Sequence, residues 1–272
     1  MFLWTSPFLM AIVGSAHRLG MSNLTYPLAL ALVAAILVAG WTLAGRAIRA
    51  DNRERQMLAL AGGLLVAAWA VITIFAAMGP PHLATLAENK LRYPLILVDA
   101  IVIVGGFAVL REALNGAGEC LFSTLGSTAI LLATPLYIVF CAVQLAVYRG
   151  IERVGSAQVV AEIASLDELS LVLLFVGVML TYLATAAFAA ALARARWLGP
   201  TVSRVFMGAS LFALLCVTAR IAEALASTDN PMWGFRRWYA LPGFILAIPA
   251  VPWIMPGLIG IVLLRRARAE EP

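Results

Sequence analysis

Seven long apolar stretches, separated by short segments that carry most of the arginines, dominate the pattern of this chain. A bilayer core about 30 Å thick needs about 20 apolar residues in helical conformation, and most of the stretches reach that length. The pattern therefore predicts an all-α, polytopic transmembrane helix bundle that forms one integral domain over residues 1–272. The predicted spans cover residues 24–44, 57–78, 93–110, 121–147, 169–192, 205–226 and 239–264.

Residues 1–14 form a further apolar stretch that is short for a membrane span. No basic region precedes it, so it does not match a secretory signal peptide. An eighth span, an interfacial helix and the remnant of a longer N-terminal region are all open, and we favour a short membrane-associated helix.

Composition supports lipid as the solvent of this chain. It is 63% hydrophobic and 12% charged, whereas soluble domains are about 45–50% apolar and about 25% charged. The net charge is +5, but the arginines sit at the ends of the spans and form no basic stripe, which argues against a nucleic-acid partner. The predicted partner is the lipid bilayer.

The distribution of basic residues predicts the orientation, because cytoplasmic loops carry an excess of Lys and Arg. Eleven basic residues fall on one side of the predicted spans and seven on the other. The single lysine and the abundant alanine indicate a bacterial genome, so we expect the cytoplasmic (inner) membrane with the C-terminus inside. The predicted cytoplasmic side carries Arg46, Arg49, Arg53, Arg55, Arg111, Arg194, Arg196, Arg204, Arg265, Arg266 and Arg268.

Two local signals are expected to shape the connections. Residues 165–168, Ser-Leu-Asp-Glu, have the spacing of a capping box and predict the start of the fifth span. The segment before it, 149–168, is the longest predicted connection, and its apolar residues recur at helical spacing, as in a short helix on the outer surface.

Asp99 is the one charged residue near the middle of the third predicted span. An ionisable group there costs about 2.5–3.5 kcal/mol on insertion scales, so it should face the bundle, where its protonated form is favoured. Two hypotheses stay open. In one, a neutral Asp99 bonds a Thr, a Tyr or a carbonyl of another helix; in the other, it is a proton-carrying, ion-binding or catalytic carboxylate.

Four further residues are candidates for an outward-opening polar pocket with Asp99. Arg92 lies seven residues earlier on the same helical face, and Tyr182 of the fifth span is a plausible donor. Arg220 and Glu223 are spaced to pair with one another on the sixth span. They meet Asp99 only if the third and sixth spans are neighbours.

The last predicted span carries four prolines on roughly one face, Pro242, Pro249, Pro252 and Pro256. Each proline removes a backbone donor and frees a carbonyl four residues earlier. We expect a kink, centred on the last three prolines, with this face turned into the bundle. A packing kink and a flexible or ion-lining helix are both open.

Several chemistries are not supported by the residues present. Both histidines lie in connecting segments and no lysine lies in a span, which excludes an intramembrane bis-histidine site and a retinal Schiff base. We therefore expect no metal and no cofactor. No GxSxG, Walker A or HExxH motif occurs, which favours a protein that is not an enzyme.

The second half resembles an uncharacterised prokaryotic multi-pass membrane protein family of unknown function. The resemblance rests on residues 195–200, Ala-Arg-Trp-Leu-Gly-Pro, and on 241–244, Leu-Pro-Gly-Phe, with Trp253 and Gly257. Pro249, Pro252 and Pro256 depart from that pattern, and an acidic residue expected in the last helix is missing. The resemblance implies a multi-pass membrane fold and no activity.

Three functions follow from these observations. The first is a structural or accessory protein that contacts other membrane proteins. The second is an ion- or proton-coupled small-molecule transporter that uses Asp99. The third is a membrane enzyme acting on a lipid or isoprenoid substrate, with Asp99 as general acid and Arg220 holding an anionic head group.

The orientation can be tested with reporter fusions. We expect fusions placed at Asn52 and at the C-terminus both to report a cytoplasmic location, because both lie on the arginine-rich side. A fusion placed near Lys90 serves as the opposite-side control. Reporters at Asn52 and at the C-terminus that disagree would contradict the predicted number of spans between them.

Overall fold

Lipid offers no hydrogen bonds to the backbone, so apolar stretches of this length are stable across a membrane as helices. The computed structural model describes residues 2–6, 9–10, 13, 22–49, 51–79, 84–154, 156–226 and 254–269. Within these ranges, the side chains of residues 22, 23, 76, 154, 156–165, 167, 220 and 223–226 lie outside the description.

Helices account for nearly all of the described residues, which include no strand. Six helices are long and apolar enough to cross a membrane, so the prediction of an all-α polytopic bundle is confirmed. The seventh predicted span is described only in its last part, because residues 239–253 lie outside the description. The helices are α1 (Ser22–Ile48), α2 (Arg53–Met78), α3 (Leu86–Gly116), α4 (Leu121–Val154), α5 (Ser156–Arg194), α6 (Pro200–Ala226) and α7 (Ile254–Ala269).

The helices pack mainly with their neighbours in sequence. Each of α1 to α5 contacts the next helix along the chain, and α7 packs against α2 and α1. Helix α2 thus lies among α1, α3 and α7. In the core, the rings of Phe107 on α3 and Phe188 on α5 stack with centroids 4.5 Å apart, which sets the relative height of these two helices.

Ion pairs show that the arginine-bearing helix ends meet at one end of the bundle, which we call the arginine-rich end. Exposed pairs of this kind contribute at most about 1 kcal/mol each, but they define which ends are neighbours. Lys90 and Glu152, 2.8 Å apart, mark the opposite end. The pairs at the arginine-rich end are Arg53–Glu112 (3.9 Å), Arg194–Glu119 (3.9 Å) and Arg266–Glu54 (4.0 Å).

Large apolar side chains in the middle of the helices point outward. Leu37 and Val38 on α1, Leu131 and Leu132 on α4 and Leu215 on α6 are all exposed. Apolar surface on this scale is unfavourable in water and favourable against acyl chains. The outward faces therefore support a lipid environment for the bundle.

Helix α3 is longer than the apolar run 93–110 at both ends. Its N-terminus is fixed by a capping box in which the Thr85 hydroxyl accepts from the Glu88 N–H at 3.2 Å, and the Glu88 carboxylate accepts from the Thr85 N–H at 2.6 Å. The helix thus begins in a polar turn outside the apolar run. This spacing, Thr-x-x-Glu, is readable in the sequence and was not singled out.

The predicted helix start at residues 165–168 is wrong. Helix α5 begins at Ser156 and continues through these residues to Arg194, so the Ser165 position is interior. The predicted long connection 149–168 is divided between the end of α4 and the start of α5. Its residues have good helix propensity and helical apolar spacing, so the helix has no reason to stop there.

The N-terminal apolar stretch is helical in its described residues, 2–6, 9–10 and 13. Leu3, Ser6, Met10 and Val13, spaced for one helical face, are buried, and the indole N–H of Trp69 donates to the Ser6 hydroxyl at 2.8 Å. The described part of this segment therefore packs against α2, in keeping with the predicted short membrane-associated helix.

Helices α2 and α7 approach closely at a pair of glycines. A Cβ built on Gly62 would lie 2.8 Å from the carbonyl oxygen of Gly260, and one on Gly260 would lie 2.9 Å from the carbonyl oxygen of Gly62. Nearby, a Cβ on Gly257 would lie 2.8 Å from the Trp69 side chain. Small residues at such crossings let backbones come into van der Waals contact in lipid.

We expect Gly62→Ala to destabilise the protein by about 1–3 kcal/mol, because its Cβ forces two backbones apart. The matched control is Gly63→Ala, where a Cβ meets nothing within 4 Å and the helix gains up to about 1 kcal/mol. Thermal unfolding in detergent measures both. Equal midpoints for the two variants would contradict this crossing.

Candidate functional site

Asp99 lies in the middle of α3, enclosed by the bundle. Its side chain is 1% exposed, and neither carboxylate oxygen has a hydrogen-bond partner among the described residues. Burying a polar group without a partner costs about 1–3 kcal/mol in proteins. Asp99 thus faces the bundle, and the described residues offer it no hydrogen bond from a Thr or a Tyr of the kind that a purely structural role would provide.

The face of α3 that bears Asp99 is turned toward α2. Seven residues before Asp99, the Arg92 guanidinium bonds the Gly79 carbonyl just beyond α2. Seven residues after it, a Cβ on Gly106 would meet the Leu65 side chain of α2 at 2.9 Å. Residues seven apart share a helical face, so Asp99 lies in the seam between α2 and α3.

Thr73 of α2 is a second unpartnered polar residue of this region. The contacts seven residues before and after Asp99 show that α2 and α3 are antiparallel. Seven residues along α2 from either contact is position 72, so Asp99 lies beside residues near 72 of α2. Thr73 is fully buried, and its hydroxyl has no hydrogen-bond partner among the described residues. A second buried polar group thus lies on α2 at about the depth of Asp99.

Arg92 belongs to the helix connection and not to a pocket with Asp99. Its Nη2 donates to the Gly79 carbonyl at 2.7 Å, and its Nε donates to Asn89 Oδ1 at 3.2 Å. Gly79 has a positive φ of 66°, which glycine adopts without strain. Arg92 therefore anchors the turn between α2 and α3, about 10 Å from Asp99 along the helix.

Tyr182 does not donate to Asp99. It is buried in α5, next to Thr181, whose hydroxyl bonds that of Tyr137 on α4 at 2.9 Å. Thr185, one turn on, donates to the Tyr182 carbonyl and shares a 3.0 Å hydrogen bond with Ser210 of α6. These residues form a hydroxyl network between α4, α5 and α6, separate from the α2–α3 seam.

Arg220 and Glu223 lie on α6, but their side chains fall outside the described residues. In the part of the chain that the structure describes, α3 packs mainly against α2 and α4, while α6 packs against α5. The pocket that these residues would share with Asp99 stays a prediction, and so does an enzyme with Asp99 and Arg220 in one site.

The proline kink is only partly covered by the structure. Pro249 and Pro252 lie outside the described residues, while Pro256 is buried near the start of the described helix α7. The predicted kink stays a prediction. Prolines also occur inside α1, α3 and α4, at Pro27, Pro94 and Pro135.

Two adjoining cavities at the arginine-rich end were not foreseen. One, of about 550 Å³, is lined by arginines of α1, α2 and α7. The other, of about 510 Å³, is lined mainly by apolar residues of the N-terminal segment, α1 and α7. Neither is lined by Asp99. The only feature of the sequence that relates to these cavities is the excess of arginines on one side of the spans, which predicts the orientation in the membrane.

Comparisons with known proteins give no assignment. No protein-family model, no curated protein and no solved structure matches this chain. The resemblance of the second half to an uncharacterised multi-pass family therefore stays a prediction. Among the described residues, no three or more His, Cys, Asp and Glu side chains are grouped to hold a metal ion.

We expect Asp99→Leu to stabilise the folded protein by about 1–3 kcal/mol, because it replaces a buried polar group that has no partner by an apolar one of similar size. Gln144→Leu is the matched control. It removes the 2.6 Å hydrogen bond from Gln144 to Ser170 between α4 and α5, so it should destabilise. Thermal unfolding in detergent measures both changes. A lower midpoint for Asp99→Leu would mean that Asp99 has a stabilising partner.

Proposed function

We propose that this multi-pass membrane protein is a proton-coupled carrier in which Asp99 takes up and releases the proton. The observation that carries the proposal is the burial of Asp99, with neither oxygen partnered among the described residues. Ionisable residues inside membrane spans are costly and mark proton or ion pathways. In the part of the chain that the structure describes, Asp99 makes no hydrogen bond or ion pair that would offset this cost, which favours a role in which its charge changes.

The surroundings of Asp99 are suited to a change of protonation. In the enclosed seam the neutral carboxyl is compatible with apolar packing, whereas the carboxylate needs water or a cation. Thr73 lies on α2 at about the same depth, and its hydroxyl is of a kind that can donate or accept a hydrogen bond. Proton release would then require an opening of the seam, which couples the protonation state to a conformational change.

A structural or accessory role is the alternative that the experiment must separate from the carrier. Such a role predicts that Asp99 can be replaced without loss of function. The contacts of α2 with α1, α3 and α7 are compatible with either role, so packing does not distinguish the two. A measurement of proton movement across the membrane does distinguish them.

The test uses purified protein in liposomes that contain a pH-sensitive dye. A pH gradient is applied, valinomycin and K⁺ set the membrane potential, and amino acids, organic acids and organic cations are offered one at a time. We expect at least one compound class to evoke a proton flux with the wild-type protein. Asp99→Asn should abolish that flux, since it keeps the shape but cannot titrate, and Asp99→Glu should retain part of it.

Glu112→Gln is the matched control. It removes a carboxylate from the same helix, but Glu112 is exposed and 3.9 Å from Arg53 at the arginine-rich end, so the flux should be unchanged. A wild-type protein that moves no proton with any compound, or an Asp99→Asn variant that moves protons normally, would overturn the carrier in favour of the accessory role.

A further inference from the structure

The arginine-lined cavity at the end of α1, α2 and α7 concentrates positive charge. Four arginines line it, Arg46 and Arg49 from α1, Arg55 from α2 and Arg268 from α7, and its described lining contains no acidic residue. The ion pairs seen nearby use Arg53 and Arg266 instead. The four guanidinium groups therefore lack a carboxylate partner among the described residues.

One of these arginines is held in place by the fold. Arg55 is buried, and its Nε donates to the Ala267 carbonyl near the end of α7 at 3.1 Å. Asn52 accepts from the Arg55 N–H at 3.3 Å at the start of α2. The terminal amino groups of Arg55 have no hydrogen-bond partner in the described part of the chain, so they are left for a ligand.

The chemistry of this lining matches a phosphate group. Guanidinium forks bind phosphate oxygens with two parallel charge-assisted hydrogen bonds. Arginines from three helices surround the same space, so a tetrahedral anion can be bound from several directions. Without an anion, their mutual repulsion at the edge of the low-dielectric bilayer is unfavourable.

The neighbouring cavity indicates that the phosphate belongs to a lipid. The two cavities share Thr42, Leu43 and Arg268. The second, of about 510 Å³, has Phe2, Leu3 and Ile261 on its apolar side and Arg265 beside the arginines of the first. A free phosphate ion would use only the first cavity, whereas a lipid would use both.

The position of the cavity near the membrane surface fits a lipid head group. Trp41 lines the arginine cavity and is 60% exposed, as is typical of tryptophans in the head-group region. Basic pockets between transmembrane helices bind anionic head groups. We propose that the cavity between α1, α2 and α7 at the arginine-rich end binds the phosphate of an anionic membrane lipid, with an acyl chain in the adjoining apolar cavity.

The test measures lipid binding by purified protein in neutral detergent. Phosphatidylglycerol and phosphatidylcholine are titrated separately, and native mass spectrometry and the thermal midpoint report binding. We expect phosphatidylglycerol to remain bound and to raise the midpoint, and phosphatidylcholine to do neither. The double variant Arg46→Gln/Arg268→Gln should weaken phosphatidylglycerol binding at least tenfold.

The matched control is Arg196→Gln/Arg204→Gln. It removes the same charge from exposed positions at the same end, on or before α6, which lies away from the cavity. It should bind phosphatidylglycerol like the wild type. If Arg46→Gln/Arg268→Gln does not fold, Arg49→Gln/Arg268→Gln tests the same cavity from two exposed positions.

Three outcomes would overturn the proposal. Equal binding of the two lipids would remove the role of the net negative charge of the head group, which phosphatidylcholine lacks because its choline offsets the phosphate. Equal losses of phosphatidylglycerol binding in the two double variants would mean that binding depends on the overall positive charge of this end and not on the cavity. Competition by inorganic phosphate at the affinity of the lipid would show that the ligand is a free anion, and the acyl chain would have no part in it.

Discussion

The close crossing of α2 and α7 is the contact on which the rest of the bundle depends. In lipid there is no hydrophobic force between apolar helices, so association rests on backbone proximity and side-chain packing. Gly62 and Gly260 let each backbone approach the other's carbonyl oxygen, and Gly257 packs against Trp69. Trp69 in turn bonds Ser6 of the N-terminal segment. Helix α2 thereby becomes the helix around which α1, α3 and α7 are arranged.

This arrangement produces two polar features with opposite physical character. Asp99 lies in an enclosed seam beside α2, where an unpartnered carboxyl is costly and a change of protonation has large consequences. The arginines of the cavity lie at the membrane edge, where cations are tolerated and anionic head groups are abundant. Both features involve α2, but nothing described connects them. The proton site and the lipid site that we propose can therefore operate separately in one small bundle.

Asp99 could be singled out from the sequence because one charge inside an apolar run is visible without a structure. Its surroundings could not, because the contact partner of a helix face depends on other segments. Arg92 appeared to share a pocket with Asp99, yet it lies about 10 Å from Asp99 along α3, and its hydrogen bonds go to Gly79 and Asn89. The start of α3 at the Thr85–Glu88 capping box was readable, whereas the apparent box at residues 165–168 is part of a continuous helix.

The amino-acid sequence by itself determined the class of this protein, the approximate position of its spans and the presence of a carboxyl within one of them. Hydropathy and helical periodicity are properties of each segment, so these conclusions need no knowledge of the neighbours. Only the tertiary structure decided that α3 turns Asp99 toward α2, and that arginines at the ends of α1, α2 and α7 line one cavity. Apolar faces are equally favourable against lipid in many arrangements of the helices. Which helices become neighbours depends on where small residues on distant segments of the chain allow close packing.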